Sequence, residues 1–280
     1  MYKHRITVFT PTYNRAHIIG NLYRSLQRQS FTDFEWLVID DGSVDETENL
    51  FEKLKLENDP FEIRYVKKEN GGKHTATNTA LELANGELFF VVDSDDYCTD
   101  NALEQIDNKW EKEMLSNSNA CCLLGIKTPI SVGNEKLSKL MTGERAFCYR
   151  TDIVKQYRYP VFKGEKFITE ATLDNQMRQA GYEYIKVDES WQIVEYKADG
   201  LTFQGISLYQ GNPKGYAFWL LQTAKMNHKN KIQMMLLYNN YYHELKGQLT
   251  KEQISQNLNI SKIHMNAILF IQKCKNIFKR

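Results

Sequence analysis

Two rhythms of hydrophobic and polar positions alternate along the first hundred residues. Predominantly apolar runs recur at 6–10, 36–39, 63–66 and 88–92, each the length of a short strand. Between them, apolar residues fall three and four apart. Ile18, Ile19, Leu22, Tyr23 and Leu26 make one such face, and Leu50, Phe51 and Leu54 a second, preceded by Ser43 and Glu46 at capping-box spacing. A third helix is predicted over 76–84 and stops at Asn85-Gly86. This order predicts an α/β fold with a largely parallel sheet flanked by helices. A helix carrying Leu103, Ile106 and Trp110, then a strand at 121–126, extend it.

The rhythm changes after residue 130. Short strands are predicted at 146–149, 184–187 and 192–194, with a helix at about 170–180 closed by Gly181. Beyond Pro213 the pattern is helical and includes a second capping box, Thr250 with Gln253. The expected organisation is a domain over 1–213, in halves 1–100 and 101–213, and a helical region over 214–280. Charge supports the division. Net charge is only +1, yet residues 214–280 hold 11 Lys and Arg against 2 Asp and Glu, leaving 25 against 33 in the first 213. Two parts with different partners are expected.

At 42% hydrophobic and 25% charged residues, the composition is that of a soluble globular protein. Five cysteines, an odd number without metal spacing, predict structural thiols in a reducing compartment. The chain runs from Met1 straight into a strand, and no run reaches the ~20 apolar residues of a transmembrane helix. A cytoplasmic location follows as an expectation. The basic tail holds no nucleic-acid reading motif, so nucleic acid is not an expected partner.

Candidate chemistry collects where each predicted strand ends, which is where open parallel sheets bind ligands. Thr10-Pro11-Thr12-Tyr13-Asn14 follows the first strand, Asp40-Asp41-Gly42-Ser43 the second, Asn70-Gly71-Gly72-Lys73 the third and Asp93-Ser94-Asp95-Asp96 the fourth. Each alone reads as loop punctuation; four at one edge point to a site. Asp93 and Asp95 lie two apart in extended chain, on one side. Three neighbouring carboxylates repel unless a cation compensates, and hard oxygen ligands suit Mg²⁺ or Mn²⁺. Neither a Gly-x-x-x-x-Gly-Lys phosphate loop nor a dinucleotide Gly-x-Gly-x-x-Gly is present.

As a set, Thr10-Pro-Thr-Tyr-Asn-Arg15, Val38-Ile-Asp-Asp-Gly-Ser43, Glu69-Asn-Gly-Gly-Lys-His74, Ala84-Asn-Gly-Glu87 and Val92-Asp-Ser-Asp-Asp96 resemble family-2 nucleotide-sugar glycosyltransferases of the GT-A fold, in a bacterial cell-envelope or capsular polysaccharide branch. The resemblance covers about the first hundred residues. It implies that Asp93 holds the ribose and Asp95 the metal. Asp41 matches the carboxylate that reads uracil, which makes a UDP-sugar the default donor. Thr10, Pro11 and Tyr13 line the nucleoside, and Lys73 meets base or phosphate. A carboxylate further on should deprotonate the acceptor. Glu170, in Gly164-Glu-Lys-Phe-Ile-Thr-Glu170, matches it; Asp174 and then Glu165 are the alternatives. Glu195-Tyr196 and Asp199-Gly200-Leu201-Thr202 match segments that shape the acceptor side. The implied reaction is metal-dependent, inverting transfer of a hexosyl or N-acetylhexosaminyl group to a saccharide or lipid-linked acceptor in cell-surface polysaccharide synthesis. A sugar-phosphate nucleotidyltransferase and a non-catalytic nucleotide-binding module are the rival readings.

Within 250–280, Ile260, Ile263, Ala267, Ile268, Phe270, Ile271 and Phe278 recur at nearly helical spacing among Lys262, Lys273, Lys275, Lys279 and Arg280. Two readings stay open: a helix lying on an anionic membrane surface, peripheral on its inner face, or one packed on the catalytic domain.

Overall fold

The computed structural model describes residues 2–114, 116–130, 144–194 and 205–277. Glu195, Tyr196, Asp199 to Thr202, Phe278, Lys279 and Arg280 lie outside the described residues. The chain divides into two compact units, Met1–Arg158 with Ala180–Gly200, and Tyr159–Gln179 with Leu201–Arg280. The boundary expected at 213/214 falls inside the second.

The first unit opens with β1 (His4–Thr12), α1 (Gly20–Gln27), β2 (Phe34–Asp40), α2 (Thr47–Leu54), β3 (Glu62–Lys67), α3 (Lys73–Leu83) and β4 (Gly86–Val91). It continues through β5 (Asp96–Cys98), α4 (Ala102–Lys109), β6 (Ala120–Pro129), β7 (Arg145–Arg150) and α5 (Thr151–Val154). After α6 (Ala171–Gln179), which belongs to the second unit, β8 (Glu183–Val194) returns to the sheet. Its eight strands run β3-β2-β1-β4-β7-β6-β8-β5. The first four are mutually parallel, while β7 runs antiparallel to β4 and β6. The order turns back between β1 and β4, the point at whose carboxyl ends open α/β sheets bind ligands.

Alternation across the pleat explains the two buried faces. Val8 stands opposite Trp36 on one side and Phe90 on the other. With Ile6, Val38 and Leu88 they form one face, which packs on Leu22 and Leu26 of α1, Phe51 of α2 and Leu103 and Ile106 of α4. Phe9 stacks on Phe89 on the opposite face, where α3 packs on β1 and β2. Trp36 is fully buried and donates its Nε1–H to Thr10 Oγ1 at 3.1 Å. Truncating it to alanine costs about 3–5 kcal/mol, the usual cost of an aromatic-sized cavity.

Two local expectations are corrected. The strands read at 184–187 and 192–194 are one, β8; its polar middle, Asp188-Glu189-Ser190, accommodates register shifts against β6 rather than a turn. The box read from Ser43 and Glu46 does not form. Asp45 caps the start of α2, accepting from the Thr47 N–H at 3.1 Å, because the Ser43 hydroxyl is engaged in another loop.

The second unit contains α6 and four longer or shorter helices leading to its end: α7 (Ile206–Gln210), α8 (Pro213–Met226), α9 (Lys231–Leu245), α10 (Lys251–Asn257), closed by α11 (Lys262–Ile277). Its core joins Tyr216, Ala217, Tyr241, Leu245, Ile254, Leu258, Met265. The Thr250–Gln253 box forms as expected, and Asn230 with Gln233 makes another.

Candidate active site at the carboxyl ends of the parallel strands

Loops after the first three parallel strands are tied to one another by polar side chains. Asn14, just past β1, adopts φ 54°, a left-handed conformation that asparagine tolerates. Its N–H donates to Ser43 Oγ at 2.8 Å, and its Oδ1 accepts from the Val44 N–H at 2.9 Å. Asp40, ending β2, accepts from the Ser43 N–H at 2.7 Å and from the Tyr65 hydroxyl. Asp41 turns to the loop after β3. Its carboxylate accepts from Lys68 Nζ at 2.8 Å, Asn70 Nδ2 at 3.1 Å and the N–H groups of Gly71 and Gly72 at 3.0 and 2.6 Å. Gly42 between them stands at φ 84°, and a Cβ there would lie 3.0 Å from the Asn70 nitrogen.

The fourth loop carries the aspartates. Asp93 Oδ1 pairs with Lys73 Nζ at 2.6 Å; Lys73 is the first residue of α3, where the helix dipole adds positive potential. Asp95 Oδ2 lies 3.9 Å from Arg15 Nη2. Asp96, only 4% exposed, pairs with Lys127 Nζ at 2.8 Å, and the same ammonium stands 3.6 Å from Asp93 Oδ2. Three cations, Arg15, Lys73 and Lys127, therefore face three carboxylates.

Their proton affinities separate accordingly. Burial alone would raise the Asp93 pKa, but Lys73 and Lys127 outweigh it and hold the group well below the usual carboxylate range. Burial and the Asp93 charge raise Asp95, which Arg15 offsets only in part. Asp96 is raised as well, chiefly by burial. Burial would lower Lys127, yet Asp93 and Asp96 lift it above the ordinary lysine value. Asp93 is thus firmly ionised, whereas Asp95, raised and with Arg15 at 3.9 Å, is a carboxylate that an added cation would stabilise.

That electrostatic need, with a partly exposed oxygen ligand, fits a hard divalent cation held by one carboxylate and completed by phosphates and water. Among the described residues, the grouping that brings three ligand atoms within 4.8 Å is instead His4, Glu35 and Glu62, at the amino ends of the strands. There Glu35 is already engaged by Arg64 at 2.6 Å, Thr7 at 2.6 Å and the Asn85 N–H at 2.6 Å, as expected of a structural brace.

The predicted site residues divide by place. Lys73, Asp93 and Asp95 converge at the switch point, and Tyr13, in the loop after β1, stands nearly half exposed. Thr10 and Pro11 are buried within β1, the Thr10 hydroxyl satisfied by Trp36. Asp41 is buried with its lone pairs already engaged. Glu170, Asp174 and Glu165 all belong to the second unit. Glu170 is exposed, directly before α6, and Asp174 is buried one turn on. Glu165 caps α8: its carboxylate accepts from the N–H groups of Lys214 at 2.9 Å and Gly215 at 2.8 Å. Lys127 and the Arg15 pairing escape a motif reading. Lys127 follows the apolar run 121–126 within a strand, and a lysine so placed is the one signal that could have marked it.

A parallel 3-2-1-4 sheet with carboxylates and cations gathered at its switch point is an α/β architecture of the GT-A type. The chain belongs to glycosyl transferase family 2, whose family model matches residues 7–177. It is 36% identical over 102 residues to the poly(ribitol-phosphate) beta-N-acetylglucosaminyltransferase TarS of Staphylococcus aureus, a match covering 36% of this chain and 18% of that enzyme. It is 34% identical over 118 residues to the chondroitin synthase of Pasteurella multocida, covering 42% and 12%. These matches span less than a fifth of the relatives' length. Among solved structures, S. aureus TarS 1–349 in complex with UDP-GlcNAc superposes with TM-score 0.62 at 17% identity, over 94% of this chain and 88% of that one. The mannosyltransferase PcManGT of Pyrobaculum calidifontis, in complex with GDP-Man and Mn²⁺, gives 0.57 at 19% identity, over 98% and 76%.

Proposed function

We propose that the chain transfers a hexosyl or N-acetylhexosaminyl group from a UDP-sugar to a saccharide or lipid-linked acceptor in bacterial cell-surface polysaccharide synthesis, with inversion at the anomeric carbon. One observation carries the reading: Asp93 and Asp95 meet Lys73, Lys127 and Arg15 at the switch point between β1 and β4. The similarity to TarS, seen with UDP and with UDP-GlcNAc, supports a uridine donor.

In this mechanism Asp95 would hold Mg²⁺ or Mn²⁺, and the Mn²⁺ complex of PcManGT supports that choice. The cation, when bound, neutralises charge developing on the departing diphosphate. Asp93, kept ionised by its two lysines, accepts the ribose hydroxyls. Lys73 exchanges Asp93 for a phosphate oxygen, aided by the α3 dipole. Tyr13 offers its exposed ring beside the base, on a floor shaped by Thr10 and Pro11. Asp41 reads the uracil imide by giving up one of its loop hydrogen bonds, or else shapes the loop that does so. Glu170, at a helix start where the dipole favours the ionised acid, removes the acceptor proton; Asp174 is the alternative.

The test is UDP release by purified protein from a panel of UDP-hexoses and UDP-N-acetylhexosamines with Mn²⁺. Turnover with one of them supports the reading. Pyrophosphate release from a nucleoside triphosphate and a sugar phosphate replaces it with nucleotidyl transfer. UDP binding without any turnover leaves a binding module.

A further inference from the structure

Helix α11 is apolar on two opposite faces. Met265 joins the core of the second unit, and Ile268 is buried as well. Ile263, Ala267, Phe270 and Ile271 recur four, three and one apart, which in a helix is a single stripe turned away from that core. This stripe is in solvent: Ile263 is 81%, Phe270 68% and Ile271 40% exposed. A helix needs one apolar face to pack on its own unit, so the second calls for a separate explanation.

The border of the stripe is basic. Lys262, Asn266 and Lys273 follow along one edge; Lys262 and Lys273 are exposed, and Lys251 reaches the same edge by donating to Asn266 Oδ1 at 2.9 Å. Glu252, 3.7 Å from Lys262 and itself exposed, is the counter-charge at that edge among the described residues, and residues 253–280 contain no Asp or Glu. Among the described residues no helix is long and apolar enough to cross a membrane.

We propose that the outward stripe of α11 seats on an anionic lipid surface, with Ile263, Phe270 and Ile271 in the interface and Lys251, Lys262 and Lys273 against the headgroups. Charge decides between occupants. A second copy meeting this stripe across a two-fold axis would bring the three lysines of this edge against their own copies with only Glu252, already beside Lys262, to answer them. Lipid headgroups supply the missing negative charge, and the interface takes up exposed aromatic and aliphatic side chains. α11 is about 24 Å long, enough to lie along the surface with the whole stripe engaged. The inference does not rest on the sugar-transfer reading, because its measurement is binding alone.

The experiment is co-sedimentation of the full chain with vesicles of phosphatidylcholine alone, or of equal parts phosphatidylcholine and phosphatidylglycerol. Binding is expected only with phosphatidylglycerol, and should weaken as salt rises. Ile263→Gln with Phe270→Gln, both outside the core, should cut partitioning by roughly tenfold or more while circular dichroism stays unchanged. Lys262→Glu with Lys273→Glu leaves the apolar stripe intact and should also abolish it. The proposal is overturned if the glutamine variant binds as well as the parent, if the charge reversal has no effect, or if neither vesicle binds. It is equally overturned if the parent is a dimer in solution that the glutamine pair dissolves.

Discussion

Lys127 Nζ lies 2.8 Å from Asp96 Oδ2, whose carboxylate is buried, and the same ammonium stands 3.6 Å from Asp93. One cation thereby serves two carboxylates of the candidate site from within β6. Removing one member of a buried pair leaves an uncompensated charge, which costs far more than a surface pair. Lys127→Met should lower stability by about 3 kcal/mol, measured by urea denaturation, and weaken UDP binding measured by calorimetry. Stability within experimental error of the parent would mean that the pair does not form.

Asp95 pairs with Arg15 at 3.9 Å, a longer separation than the 2.6 Å of Asp93 from Lys73 or the 2.8 Å of Asp96 from Lys127, so an added cation should matter there. Chelation should abolish sugar transfer and Mn²⁺ or Mg²⁺ restore it, whereas Asp95→Asn should stay folded and inactive with either metal. Full turnover in excess chelator contradicts this assignment.

Two glutamates five residues apart should respond to substitution in opposite ways. Glu170→Gln should reduce turnover by roughly 10²-fold or more with donor affinity nearly unchanged. Glu165→Ala should instead cost about 1 kcal/mol of stability by uncapping α8, with kcat retained. If Asp174→Asn reproduces the turnover defect and Glu170→Gln does not, the base is Asp174.

Thiol chemistry offers a check independent of function. Cys98, Cys121, Cys122 and Cys148 are buried, and burial pushes the Cys98 thiol up to about 12 and raises Cys148 as well. Only the thiolate attacks, so at mildly alkaline pH the native chain should titrate one fast thiol, Cys274, which is partly exposed. The other four should appear on unfolding. Rapid reaction of more than one thiol in the native state would contradict this packing.

Legibility in the sequence followed how local each cause was. The parallel half was readable because each strand is a short apolar run and each run ends in polar residues facing the same edge. Where a side chain's partner lies far along the chain, reading failed. Ser43 looked like a helix cap, but its hydroxyl answers Asn14, 29 residues earlier. Glu165 looked like an acceptor-side acid, but it meets N–H groups about 50 residues later. β8 looked broken because a bulge and a loop share the same polar residues. Lys127 carries no motif, since its meaning comes from a strand crossing that only the folded sheet creates. In α11 the spacing was legible, but which of its apolar residues face inward was settled by packing against Tyr241 and Leu258.

The tied loops have a thermodynamic consequence. Asn14 fastens to Ser43 and Val44, and Asp41 to Lys68, Asn70, Gly71 and Gly72, so the rim of the candidate site is organised before any ligand arrives. Ordering a loop costs roughly 1–2 kcal/mol per residue in backbone entropy alone, and that cost is here met by folding. A nucleotide entering such a rim need only exchange ion pairs, chiefly Lys73 from Asp93, and its affinity is spared the penalty of freezing flexible chain.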